Sequence, residues 1–278
     1  KIALVTDSTA DLTDEIKNRY DIHVVPLKVR FKDQEYFDYE ITSEEFYRRL
    51  AQESELPITS QPSPEDFSSI YRRLLKDYDE IISIHISSGL SGTLNAANLA
   101  KEGLNGRIHI IDSKTISLGI GLMVAEAARN IKEGLSALQI VDGLSKVRKN
   151  IETLFTLNTL EYLQKGGRIG KVQGIVGSLL NIKPVVRVGD DGIYHTYGKT
   201  RSQERALDSI VKAFRDLAGG RKYKSLVVAH GAALQAGLYL KEALENAFQL
   251  KTSVFTQVGP VIGVHTGPGT VGAAVQFE

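Results

Sequence analysis

The sequence predicts an α/β protein built of two α/β halves that join near residue 150, and three observations carry that reading. Ile81–Ile86 is a short, isoleucine-rich apolar run, the pattern of a strand buried on both faces, and Leu94, Ala97 and Leu99 follow it with helical spacing. The same strand-then-helix order recurs from Ile2–Val5 to Thr13–Tyr20 and from Ser225–Ala229 to Leu234–Phe248. Around Asn150 the texture changes to glycine-rich turns and a hairpin signal at Gly189-Asp190-Asp191-Gly192.

Taken in order, Ile2–Val5 runs into Thr6-Asp7-Ser8-Thr9. Asp7 and Ser8 there read as helix caps and turn formers, or as the wall of a pocket at the strand's carboxyl end. Ile22–Val29 reads as a second strand, Phe31–Tyr39 as a short hairpin around Asp33-Gln34, and Ser43–Gln52 as an amphipathic helix. Leu56–Glu65 holds Pro57, Pro62 and Pro64, so it is neither helix nor central strand. Pro64 suits the first turn of a helix over Glu65–Leu75 with Ser63 as its cap. Thr59 and Ser60 lie outside that cap, and the helix leaves them unexplained.

After Ile81–Ile86 comes Ser87-Ser88-Gly89-Leu90-Ser91-Gly92-Thr93, a hydroxyl- and glycine-rich turn that opens a helix. Open α/β sheets bind their ligands at such carboxyl strand ends. Free backbone N–H groups and the helix dipole draw an anion there. The turn contains no Lys or Arg, so a weakly charged oxyanion is expected rather than a triphosphate. Beyond it the pattern predicts a strand at Arg107–Asp112, helices at Ser117–Ile131 and Leu135–Lys149, and a strand at Ile151–Thr156. A turn of helix over Asn158–Lys165, a basic glycine-rich hinge at Lys165–Lys171 and a small-residue helix over Val172–Leu180 follow. Lys183–Val188 and Ile193–Lys199 pair as a hairpin, and Ser202–Leu217 is a helix. A strand at Thr252–Phe255 leads through the glycine-rich Gly259–Gly269 to a last strand, Thr270–Phe277.

Composition narrows the function. The hydrophobic share of 42% with 24% charged residues is that of a globular chain with a sizeable core. Lys+Arg 34 against Asp+Glu 33 gives a net charge of +1, which offers no electrostatic case for nucleic acid. There is no cysteine, hence no disulfide, no thiolate catalysis and no Cys-based metal site. No apolar run approaches the roughly 20 residues of a membrane-spanning helix. A strand at the very start leaves no room for a signal peptide, so a cytoplasmic protein is expected.

Four chemistries compete for the polar turn. Gly89-Leu90-Ser91-Gly92-Thr93 falls one residue short of a nucleophile elbow, and His265 lies downstream of Ser91 as a serine hydrolase acting on acyl esters would require. The six histidines, His23, His85, His109, His195, His230 and His265, never recur at i+3 or i+4, so no metal site is expected. Gly119-Ile120-Gly121 lacks the third glycine and the leading strand of a dinucleotide fingerprint, and no phosphate-binding loop with its lysine occurs. The fourth reading is the carboxylate of an apolar ligand, held by hydroxyls of Thr59 and Ser91, by N–H groups around Gly92 and by one histidine. Val172–Leu180 and the apolar Ile116–Ala128 are candidate walls for its tail.

Five motifs stand in order along the whole chain: Thr6-Asp7-Ser8-Thr9, Thr59-Ser60-Gln61-Pro62, Ser87 to Thr93, Gly166-Gly167-Arg168, and Gly259-Pro260 with Gly263-Val264-His265. Together they resemble the DegV family, bacterial fatty-acid-binding proteins that serve fatty acid kinase. The resemblance implies two domains, 1–150 with a Rossmann-like parallel sheet and 151–278 as an α/β sandwich, with a long-chain fatty acid between them. It implies a carboxylate bound by Thr59, Ser60, Ser91, Gly92 and His265, and Arg168 at the pocket mouth where the kinase docks. It further implies no catalysis and no cofactor beyond the bound lipid. The chain would present the carboxylate to a separate kinase and then carry the acyl phosphate, with room for transient membrane contact.

Overall fold

The computed structural model describes residues 1–32, 34–175 and 181–278. The first half runs β1 (Ile2–Asp7), α1 (Asp14–Tyr20), β2 (Ile22–Val25), β3 (Lys28–Arg30), β4 (Glu35–Phe37), α2 (Ser43–Gln52) and β5 (Ile58–Ser60). It continues with α3 (Pro64–Leu74), β6 (Glu80–His85), α4 (Thr93–Glu102), β7 (Arg107–Asp112), α5 (Leu118–Lys132) and α6 (Ala137–Lys149). The second half is β8 (Ile151–Thr156), α7 (Glu161–Lys165), β9 (Lys183–Val188), β10 (Tyr194–Thr200), α8 (Gln203–Ala218) and β11 (Tyr223–His230). α9 (Leu234–Phe248), β12 (Thr252–Gln257), α10 (Pro260–Thr266) and β13 (Val271–Phe277) complete it.

Four strands form a parallel sheet in the order β2-β1-β6-β7. Its winding reverses between β1 and β6, which is where a doubly wound sheet opens a ligand crevice. The strand period explains why both central strands are apolar throughout. Ala3, Val5 and Ile81 face the α3/α4 side with Phe67, Tyr71 and Ala97, whereas Leu4, Ile82 and Ile84 face the core built around α5. A second sheet has the order β10-β9-β8-β13-β11-β12 and is antiparallel except for β11 with β12. Its outer face is covered by α8 and α9 through Leu207, Ile210, Phe214, Leu240 and Leu244. A small antiparallel sheet, β4-β3-β5, completes the first half.

α5 lies between the two large sheets, touching β1 and β6 on one side and β8, β11 and β13 on the other. Every residue from Leu118 to Val124 is therefore buried, which accounts for a helix apolar on more than one side. One apolar core consequently runs from Leu4 and Ile82 through Met123 to Phe155 and Ala274.

Several sequence expectations change in the structure. The strand expected over Ile22–Val29 is two strands in different sheets, because Pro26 interrupts the ladder and the Leu27 N–H turns to Ser8 Oγ at 2.9 Å. Asn158–Lys165 is helical only from Glu161. The glycine-rich run after Gly259 contains α10, begun by Pro260 in its first turn, where a missing N–H costs nothing. Thr59 sits in β5, an edge strand of three residues. Asp33 of the expected hairpin lies outside the described residues, although Arg30 and Glu35 pair beside it. Of the expected helix Val172–Leu180, Gly170–Ile175 forms tight 3-10 turns, and 176–180 lie outside the described residues.

Candidate functional site

The site is built on the ends of β1 and β6. Asp7, fully buried at the end of β1, accepts from the Thr9 N–H (3.0 Å), the Thr9 hydroxyl, the Ile86 N–H (3.1 Å) and His85 Nδ1 (2.9 Å). With Nδ1–H spent on Asp7, His85 Nε2 accepts from Ser83 Oγ at 2.6 Å, and Ser83 in turn meets the Tyr71 hydroxyl at 2.8 Å. This buried chain locks the two strand-end loops together. Asp7 thus caps the 3-10 turn Ser8–Ala10 and also fixes Thr9 and Ile86, both on the cavity wall.

In the following turn the Ser91 N–H donates to the Ser87 carbonyl (3.2 Å), and Ser87 Oγ donates to the Gly192 carbonyl (2.7 Å), tying the turn to the β9–β10 connection. Ser88 leans away to Asp112 (2.5 Å). Ser91 Oγ accepts from the Thr93 N–H (3.2 Å) and lies 2.8 Å from Thr93 Oγ1. Gly92 caps α4 without lining the cavity, and the Gln61 side-chain carbonyl lies over its Cα, where a Cβ would collide.

α10 brings His265 across from the second half, and its Nε2 lies 2.7 Å from Thr59 Oγ1. His265 Nδ1 is buried without a partner and faces Gly166, where an added Cβ would come within 2.5 Å of it. Burial, reinforced by the nearby Arg168 charge, lowers the His265 pKa to about 4, so the imidazole is neutral at neutral pH. A buried N–H left unpaired is costlier than an unpaired ring nitrogen, which puts the proton on Nε2. Nε2–H then donates to Thr59, and the Thr59 O–H is free to donate into the cavity. Arg168 bridges the halves, giving Nε to the Leu90 carbonyl (3.2 Å) and Nη1 to the Gly166 carbonyl (2.8 Å).

Thr59, Ser60, Ser91, Arg168 and His265 thus line one cavity of about 230 Å³, together with Gln61 and Tyr194 and with apolar side chains including Leu27, Leu90 and Ile262. Arg168 gives this cavity a cation that the serine-rich turn itself lacks. Ile262 also stands on the wall of an apolar slot of about 40 Å³ beneath α5, among Ile116, Leu118, Phe155 and Ala274. Among the described residues, no Ser91–His265 hydrogen bond forms, and no cluster of three His, Asp or Glu is placed to hold a metal.

A larger cleft, of about 580 Å³, lies elsewhere, at the ends of β1, β2 and β12. Asp7, Asp11, Asp14 and Asp38 line it, and its Lys17 is paired with Asp14 at 2.6 Å. At its edge Asp11 accepts from Ser117 Oγ (2.5 Å) and the Gly259 N–H (2.9 Å), joining the β1 loop to the starts of α5 and α10. Burial raises the Asp11 pKa to about 7, against the pull of those two bonds and with a push from Asp7. A folded pKa above the unfolded one gives stability that is complete below about pH 4 and lost as pH rises through 7. Asp11→Asn keeps both contacts and removes that loss. Its unfolding free energy relative to the parent's, from denaturant titration, is expected to rise by about 3 kcal/mol between pH 5 and pH 8. An unchanged difference across that range contradicts the assignment.

Sequence reasoning missed Tyr194, which carries no motif signal, and the helix that presents His265. Fold and cavity together define a class: an α/β protein with a polar-headed, apolar-walled cavity at the switch point of its parallel sheet. Within that class the chain belongs to the DegV family, whose family model, described as uncharacterised DegV-family protein, matches residues 1–278. A DegV domain-containing protein of Clostridium acetobutylicum is 40% identical over 286 residues, covering 100% of this chain and 99% of its own. Among solved structures, a fatty-acid-binding DegV family protein of Thermus thermophilus matches with a TM-score of 0.93 and 38% identity, covering 100% of both chains. A stearic acid-binding protein of Eubacterium ventriosum matches with a TM-score of 0.93 and 27% identity, covering 100% of this chain and 98% of its own.

Proposed function

We propose that this chain binds a long-chain fatty acid, its carboxylate held by Thr59, Ser60, Ser91 and His265 near the Gly92 helix start. It presents that carboxylate to a separate acyl kinase in the cytoplasm and then carries the acyl phosphate. In this reading residues 1–150 and 151–278 act as two domains closing on the lipid, and the chain itself does no chemistry. The observation that carries the proposal is the convergence of Thr59, Ser91 and His265 from three separate elements on one cavity. The geometry favours holding over hydrolysis. Ser91 is bonded to Thr93, His265 to Thr59, and among the described residues no carboxylate orients the imidazole, whereas nucleophilic catalysis needs serine, base and orienting group in one chain. The fatty-acid-binding relatives point the same way.

The tail supplies the affinity and the polar residues fix which end points out. Burying each methylene is worth about 0.8 kcal/mol, so a chain of ~16 carbons gains on the order of 10 kcal/mol before ordering costs. Arg168, at the rim, is assigned to the kinase step. The test combines the chain with lipid, ATP and a fatty acid kinase. The parent supports phosphoryl transfer, and Arg168→Ala is expected to lose most of that transfer while retaining lipid. A sharp loss of lipid in Arg168→Ala moves the residue into the carboxylate site instead. Ser91-dependent hydrolysis of acyl esters by the chain alone overturns the proposal.

A further inference from the structure

We propose that Tyr194 is a further head-group residue of the cavity, donating its phenol O–H to the ligand's carboxylate beside Thr59 and Ser91. The inference rests on the fatty-acid reading for the identity of the ligand, and on the following geometry for the residue. Tyr194 is the first residue of β10, paired with Val188 of β9. Its side chain is 3% exposed, stands edge-on to the Phe155 ring at 5.3 Å between centroids, and lines the same cavity as Thr59, Ser91, Arg168 and His265.

The Tyr194 hydroxyl has no hydrogen-bond partner among the described residues. Buried tyrosine hydroxyls are normally satisfied, because leaving the group unpaired away from bulk water is costly. A phenol at a cavity wall that has no partner among the described residues, and is not one of the fully enclosed unpartnered polar atoms, opens onto the cavity and is suited to an acceptor that arrives with the ligand. Burial raises its pKa, so the group keeps its proton and can only enter as a neutral donor or acceptor. Arg168 and His265 line the same cavity as Tyr194. The position is rigid as well. Gly189 N–H donates to the Ile193 carbonyl (2.9 Å), and the Gly192 carbonyl receives Ser87 Oγ, so the connection that delivers Tyr194 is tied to the turn that delivers Ser91.

The consequence is selectivity for an ionised head. A bond to a charged acceptor is about twice as strong as one to a neutral oxygen. Delipidated parent and Tyr194→Phe are to be titrated with myristate and with tetradecanol, which share a tail and differ in the head. Tyr194→Phe is expected to bind myristate about tenfold more weakly, with little change for tetradecanol and no fall in the unfolding midpoint of the empty chain. Equal losses for acid and alcohol, no loss for either, or a lowered midpoint with an unchanged myristate affinity each overturn the assignment, since Tyr194 is then packing only. A parent chain that binds neither compound overturns the fatty-acid reading itself, and does so before any variant is compared.

Discussion

Thr59→Val is expected to weaken the retention of palmitate between about tenfold and a hundredfold while leaving the fold intact. Thr59 is half-buried in an edge strand of three residues, so a side chain of nearly the same shape fits. The loss is chemical. The hydroxyl lies 2.7 Å from His265 Nε2, and in the proposed reading it directs its own O–H at the ligand, so its removal would take away one bond to a charged acceptor and leave a buried imidazole N–H unpaired. The lost bond to the charged acceptor is worth about 1.5–3 kcal/mol, and each 1.4 kcal/mol is a factor of ten, whereas the unpaired N–H burdens the empty and the loaded chain alike. The two residues act as a pair, so in the background of His265→Phe the same Thr59→Val change is expected to cost much less. Calorimetric titration of the four chains measures this coupling. Full additivity, or a Thr59→Val chain that binds palmitate as the parent does, contradicts the role given to this pair.

Gly263→Val is expected to destabilise the chain by about 3 kcal/mol or more and to abolish lipid binding with it. Gly263 lies in the middle of α10, where a Cβ would come within 2.5 Å of Phe46 Cε1 and 3.0 Å of the Tyr47 hydroxyl. Both rings belong to α2 and are buried, so neither can swing into solvent. The branched side chain must push α10 outward, and His265 rides on that helix two residues further on. Thermal unfolding and palmitate retention are therefore expected to fall together. A Gly263→Val chain that melts with the parent shows that α10 has slack, which the account of His265 placement does not allow.

These two predictions draw on parts of the molecule that were unequally legible in the sequence. The parallel sheet was readable because β1 and β6 are apolar runs too short for helices and punctuated by hydroxyl and glycine residues, of which Thr9 and Ser91 line the cavity. Apart from the family resemblance of its Thr-Ser-Gln-Pro motif, local pattern flagged Thr59 as a hydroxyl that no helix cap explained. Its strand is three residues long and owes its existence to pairing with β3, a long-range effect that local pattern does not encode. α10 was hidden for a related reason. Pro260 and two glycines argue for a loop locally, and the helix persists because Val261, Ile262 and Val264 are buried against other elements. Arg168 shows the limit of reading charge by segment. The serine-rich turn has no cation, but the fold supplies one from a distance of 78 residues, fastened to Leu90. Tyr194 left no trace at all, since one aromatic at a strand start is ordinary until the cavity beside it is seen.

The central claim is tested most directly by native mass spectrometry of the purified chain, followed by solvent extraction and mass analysis of the released material. The account predicts one stoichiometric adduct with the mass of a long-chain fatty acid, displaced by added palmitate and diminished in Thr59→Val. A chain that is empty as purified and takes up no added fatty acid contradicts it.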